Sequence, residues 1–112
     1  MNDGRFQLVL EVKSFIFSID SLLINFPRKD RELKNRIIDD CYDILEYIYL
    51  ANYKEKGRRE IQEKILAKLN MLDFYFEKSY KCGYISNKVC QNKCNHLLKI
   101  NKMVRGWIKC DK

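Results

Sequence analysis

Leu97–Cys110 reads LLKINKMVRGWIKC, and the spacing of its apolar residues decides that this chain is helical. At about 100° per residue, Val89, Leu97, Ile100, Met103, Val104, Trp107 and Ile108 gather on one side. Lys88, Lys99, Lys102, Arg105 and Lys109 gather on the other. One side calls for a core and the other for an anion. The single tryptophan, Trp107, directly follows Gly106. A glycine inside a helix costs about 1 kcal/mol relative to alanine. That cost predicts a packing reason, another backbone coming close beside a buried Trp107.

The same period runs through the rest of the chain, and no stretch alternates with the period of two that a sheet requires. A first helix is predicted over 5–26, with Leu8, Val12, Phe15, Ile19, Leu22 and Phe26 on one stripe and Val9, Ile16 and Leu23 beside it. Pro27 stops it, because the residue before a proline is pushed out of the helical region. Asp30 is the expected N-cap of a second helix over 31–53, whose buried stripe is Leu33, Ile37, Cys41, Ile44, Ile48 and Ala51. Gly57 marks the next turn. A third helix over 58–81 presents Ile61, Ile65, Leu69, Leu72 and Phe76, and Gly83 ends it as the residue after its C-cap. Ser86 caps the fourth. Connections this short predict one all-α domain over 1–112, an antiparallel up-down-up-down four-helix bundle. Phe6, Phe17, Tyr47, Tyr49, Phe74 and Tyr75 fall partly outside the main stripes. A second buried surface, shared between copies of the chain, would account for them.

With 112 residues, the chain can bury a sizeable core without a metal or a disulfide. Glu11, Lys13 and Asp20 interrupt its longest apolar segment, so no membrane span is expected. No signal-peptide pattern is present, and five cysteines, an odd number, read as reduced thiols in a cytoplasmic protein. The net charge of +7 is unevenly placed. Residues 1–27 carry two basic and three acidic groups, residues 28–56 seven of each, and residues 57–85 six and four. Residues 86–112 carry seven basic groups and one acidic. Charge concentrated on one helix points to a nucleic-acid or acidic-protein partner. Lys99, Lys102, Arg105, Lys109 and Lys88 are the candidate contacts, with Arg58 and Arg59 at the second junction as secondary ones. Lysines along a helix neutralise phosphates without reading sequence, and nearby tyrosines can stack on unpaired bases.

Other constellations are weaker. Cys90 and Cys94 lie one turn apart, but His96 is about 160° around the helix from Cys94, so the three cannot face one tetrahedral metal. No metal or other cofactor is expected; a cysteine-dependent metal or redox bundle is the alternative of another class. Asp39, Asp43 and Glu46 share one face of the second helix, with Asp40 nearby, either solvated or meeting a basic surface of the same bundle or of a neighbouring copy. One histidine cannot supply the paired Glu-x-x-His motifs of a di-iron bundle. No phosphate loop and no nucleophile with its base can be assembled, so no enzymatic activity is expected.

Phe26-Pro27-Arg28, Ala51 with Lys54, Lys56 and Arg58, and the closing Ile100-Asn101-Lys102-Met103-Val104-Arg105-Gly106-Trp107-Ile108-Lys109 carry a family resemblance over nearly the whole chain. It resembles the small bacterial four-helix-bundle proteins that include the accessory variability determinant (Avd) proteins of diversity-generating retroelements. The same group holds the proteins encoded in intervening sequences of large-subunit ribosomal RNA genes. The Gly-Trp-hydrophobic-Lys ending is its most specific part and favours the Avd branch. Family members often have two glycines before the tryptophan where this chain has Arg105 and Gly106, and arginines late in the third helix where it has Phe74-Tyr75-Phe76-Glu77. The resemblance implies a homo-oligomer, pentameric in that family, shaped as a basic barrel. It would bind the retroelement's reverse transcriptase and its template RNA as a non-catalytic support for mutagenic complementary-DNA synthesis. The alternative within the family is the ribosomal-RNA intervening-sequence relative, a nucleic-acid-binding bundle of undefined role.

Overall fold

Local chemistry sets the helix ends. The computed structural model describes residues 3–111 and contains four helices: α1 Asp3–Leu23, α2 Arg31–Tyr53, α3 Arg58–Lys81 and α4 Asn87–Cys110. No strand occurs among the described residues. Lys112, counted in the charge of the last segment, lies outside them.

α1 stops three residues before the predicted end at 26. The N–H groups of Asn25 and Phe26 bond to Leu22 O at 3.3 Å and Leu23 O at 3.1 Å, closing tight turns instead of a further helical turn. Pro27, extended at φ −69° and ψ 147°, holds Phe26 out of the helix. Phe26 is buried all the same, its ring 5.4 Å from that of Tyr84, so it serves the core from a loop. A single 3-10 turn, Arg28–Asp30, leads into α2.

Asp30 caps α2 as predicted, its Oδ1 accepting from Leu33 N–H at 3.4 Å. Its Oδ2 accepts from the Tyr84 hydroxyl at 2.9 Å. That bond, with burial, pushes the Tyr84 phenol up to about 12. One carboxylate thus fastens the α3–α4 loop to the start of α2. Gly57 and Gly83 have φ of 79° and 81°, the left-handed region that glycine reaches without strain. At the end of α3, Gly83 N–H bonds to Tyr80 O and Tyr84 N–H to Ser79 O, both at 2.9 Å, the Schellman arrangement. Ser86 Oγ accepts from Val89 N–H at 3.1 Å and opens α4.

Cross-helix contacts show that successive helices are antiparallel. Ser18 meets Lys93 and Glu11 meets Lys99 between α1 and α4. Asp40 meets Lys68 and Ala51 meets Arg58 between α2 and α3, and Phe76 meets Cys90 and Arg58 meets Asp111 between α3 and α4. Each helix packs against its two neighbours, leaving α1 opposite α3 and α2 opposite α4 in a body of 43 × 23 × 19 Å. Phe15 and Phe76 reach across that diagonal edge to face, 5.9 Å apart at 87°. Such a pair adds about 0.5–1.5 kcal/mol to the burial of the two rings.

The buried residues of α2 are the six expected. On α3, Gln62, Tyr75 and Ser79 join the predicted five. Ser79 Oγ donates to Tyr75 O at 2.7 Å, and Gln62 Nε2 donates to Asp111 Oδ2 at 3.4 Å, so both buried polar groups are satisfied. Tyr75, read as part of a second surface, is buried within the bundle instead. It covers the α2–α3 seam beside Leu33 and Arg36, and the half-buried Tyr47 lies along the same seam. Phe6, Phe17, Tyr49 and Phe74 do stand exposed. No helix among the described residues is long and apolar enough to cross a membrane.

Candidate nucleic-acid interface

α4 is the most strongly amphipathic of the helices. Cys90, Leu97, Ile100, Val104 and Trp107 are buried, with Val89, Met103 and Ile108 half-buried at the margins. Lys88, Lys99, Lys102, Arg105 and Lys109 are all exposed on the opposite side, as the periodicity requires. The void among Phe15, Leu69, Leu97 and Ile100 is about 10 Å³, roughly enough for one water.

The surroundings of the five cations differ. Lys99 Nζ lies 3.3 Å from Glu11 Oε2 and is partly neutralised. Arg105 Nε donates to the neutral Asn101 Oδ1 at 2.7 Å. Lys88, Lys102 and Lys109 have no carboxylate within 4.0 Å among the described residues. Arg58 is used elsewhere. Its Nε donates to Ala51 O at 2.8 Å and its Nη1 pairs with Asp111 Oδ1 at 2.7 Å, tying the ends of α2 and α4 to the start of α3. It is therefore a structural clasp, with less than a fifth of its side chain exposed. Arg59 is exposed at the same end of the bundle.

Trp107 is buried, as expected, and its Nε1 finds no hydrogen-bond partner among the described residues. The reason expected for Gly106 is absent. A Cβ built at Gly106 meets nothing within 4 Å. Residues adjacent in a helix point about 100° apart, so Gly106 lies on the exposed side while Trp107 turns inward.

On the flank of α4 that meets α1, His96 Nε2 lies 2.9 Å from Glu11 Oε1, and its ring sits edge-on to Phe15 at 5.2 Å. Burial pushes the Glu11 carboxyl up, but the hydrogen bonds from Lys99 and His96 outweigh it and hold the group below its ordinary value. One turn away, Lys93 Nζ donates to Ser18 Oγ at 2.9 Å, and burial pushes its ammonium down. The Glu11 partnership was not visible in the sequence. The only trace was a carboxylate inside an apolar helix, with nothing to say which helix it would face.

Part of the acidic face of α2 meets a basic group of its own bundle, while Asp39 and Glu46 are exposed. Lys68 Nζ contacts Asp43 at 3.0 Å and Asp40 at 3.1 Å, and these bonds raise its ammonium above its usual value against the opposing effect of burial. Cys90 and Cys94 are neighbours on α4, and the other cysteines are dispersed. Burial pushes Cys41 up to about 12, and burial with Asp73 does the same to Cys94. Cys90 Sγ donates to Phe76 O at 3.6 Å, while Cys82 and Cys110 are exposed. Among the described residues, no three His, Cys, Asp or Glu side chains are grouped to hold a metal ion. Comparison with family models, with curated proteins and with solved structures finds no match for this chain.

Proposed function

We propose that this protein is a non-catalytic accessory of a diversity-generating retroelement, a homo-oligomer of the pentameric kind that binds the reverse transcriptase and its template RNA. The observation that carries the reading is the outer face of α4. Lys88, Lys102 and Lys109 stand there with no carboxylate within 4.0 Å among the described residues, on the helix whose Gly106-Trp107-Ile108-Lys109 ending is the most specific part of the resemblance. Such a face attracts phosphates whatever their base sequence. Assembly is supported by Phe6, Leu10, Phe17 and Ile24, exposed along the outside of α1 and just past its end. Contact between copies would remove them from water.

Light scattering and RNA-binding titrations test the biochemical half. The expected results are a mass several times 13.5 kDa and an affinity that falls steeply with salt while showing little sequence preference. A monomer at every concentration removes the barrel, and absence of RNA binding at low salt removes the nucleic-acid role. Flanking DNA tests the biological half. A neighbouring reverse transcriptase gene and a near-identical repeat pair support the retroelement reading, whereas a reading frame inside a ribosomal RNA gene overturns it.

A further inference from the structure

Gly57 and Gly83 are explained by their positive φ. Gly106 is not, since it lies one turn before the end of α4 with helical geometry and its missing side chain leaves open space. Glycine is the poorest helix former after proline. Among the described residues, no contact offsets that choice.

The surroundings supply a reason outside the chain. Lys102 precedes Gly106 by four residues and Lys109 follows it by three, so both flank it on the exposed side. Arg105 stands beside it and Lys99 lies about two turns before. Lys102 and Lys109 are separated by about 10 Å along the axis, with Gly106 between them. At a glycine the helix surface falls from a side-chain radius of about 5–6 Å to the backbone itself, whose Cα atoms lie about 2.3 Å from the axis. The result is a shallow notch in a cationic face. Charge selects the occupant, because no carboxylate lies within 4.0 Å of Lys102, Arg105 or Lys109 among the described residues. An anionic chain entering the notch comes within reach of ammonium groups on both sides, and Coulomb attraction rises as the separation shrinks.

We propose that Gly106 is the seat where the sugar–phosphate backbone of bound RNA comes against the axis of α4, held between Lys102 and Lys109 with Arg105 alongside. This rests on the nucleic-acid reading above and adds its point of closest approach.

The test compares the full-length wild type with Gly106→Ala and Gly106→Leu, using an unstructured oligouridine and its deoxy counterpart as probes. Both replacements are better helix formers, so the thermal midpoint should rise or hold. Affinity for the RNA should fall several-fold with alanine and about tenfold or more with leucine, while the dependence on salt is retained because no cation has been removed. The exposed thiols supply a second readout. Cys110 lies one turn beyond Gly106, and Cys82 lies at the other end of the bundle. Bound RNA should protect Cys110 from alkylation and leave Cys82 reactive. Undiminished affinity in both variants, or equal protection of both thiols, overturns the seat while leaving general binding to the basic face intact. A leucine variant that changes oligomer mass marks the notch as a contact between copies and also overturns it. If the wild type binds neither probe, the seat falls together with the reading it rests on.

Discussion

α1 and α4 lie side by side, joined at Glu11, yet turn opposite kinds of surface outward. Inside, both present apolar side chains to the same core. Outside, α1 shows Phe6, Leu10 and Phe17, with Ile24 just past its end, and Phe17 and Ile24 are 73% and 75% exposed. α4 shows five cations and, among large apolar residues, only Leu98. Each face leaves a different unmet demand. Burying a Phe or Ile side chain is worth roughly 1.5–3 kcal/mol, so the α1 face gains from an apolar cover. The α4 face carries like charges close together and gains from an anion. Two neighbouring helices can therefore divide assembly and nucleic-acid binding without competing for one surface.

The largest effect is expected on the charged face. Lys88, Lys102 and Lys109 changed together to Glu should abolish RNA binding at physiological salt and lower the slope of log affinity against log salt by at least about three. Helical content and oligomer mass should not change. Lys99 is left out of the set because a Glu there would face Glu11 and loosen the α1–α4 seam. A matched reversal of the exposed Lys29, Lys64 and Lys78 keeps the net charge equal. Equal weakening by both sets erases the distinction between the faces and leaves only general basicity.

Next comes the apolar face. Phe17→Glu with Ile24→Glu should reduce the mass measured by light scattering to that of a single 13.5 kDa chain. Both residues are exposed, so stability of the lone bundle should change by no more than about 0.5 kcal/mol each. An unchanged assembly would mean that the copies meet elsewhere.

The inward faces were more legible in the sequence than the outward ones, and the reason is physical. α2 and α3 have the bounds their local signals predict, because the Asp30 cap, Gly57 and Gly83 act within a few residues. Phe26 misled because an apolar residue continues a helical stripe on paper, whereas Pro27 removes it from the helix and the core accepts it from a loop. The cationic side of α4 followed from periodicity alone. Arg58, however, was withdrawn from that side by Asp111, 53 residues away. The Glu11–His96 contact spans 85 residues, and no local pattern announces it. Gly106 was misjudged by adjacency, since sequence neighbours in a helix do not share a direction.

That last point makes Trp107 a useful contrast with Gly106. Trp107→Ala should destabilise the fold by about 3–5 kcal/mol, the range for deleting a large core aromatic. Trp107→Phe should cost much less, because the indole N–H it removes has no partner among the described residues. Chemical denaturation measures both. A loss below about 1 kcal/mol for the alanine variant, with binding gone, would move Trp107 to the outward side of the comparison.

The smallest effect lies at the seam. Glu11 is held below its ordinary value by bonds from Lys99 and His96, so the folded state favours its charged form more than the unfolded chain does. The resulting stability is fully present above the ordinary carboxylate value of about 4.3. It is lost as pH falls through the lowered value in the folded protein. Its size should be no more than about 1 kcal/mol, since the Lys99 side chain is 62% exposed and well screened. Thermal midpoints of wild type and Glu11→Gln should differ at neutral pH and converge below about pH 4. Parallel curves across the whole range would show that the Glu11 charge contributes nothing to the seam. The same substitution acts on the basic face, because removing Glu11's charge releases Lys99. RNA affinity at low salt should then rise slightly, with the salt slope steeper by up to about one. A rise in binding together with a fall in stability would show that Glu11 holds the two helices together at the expense of one cation on the binding face.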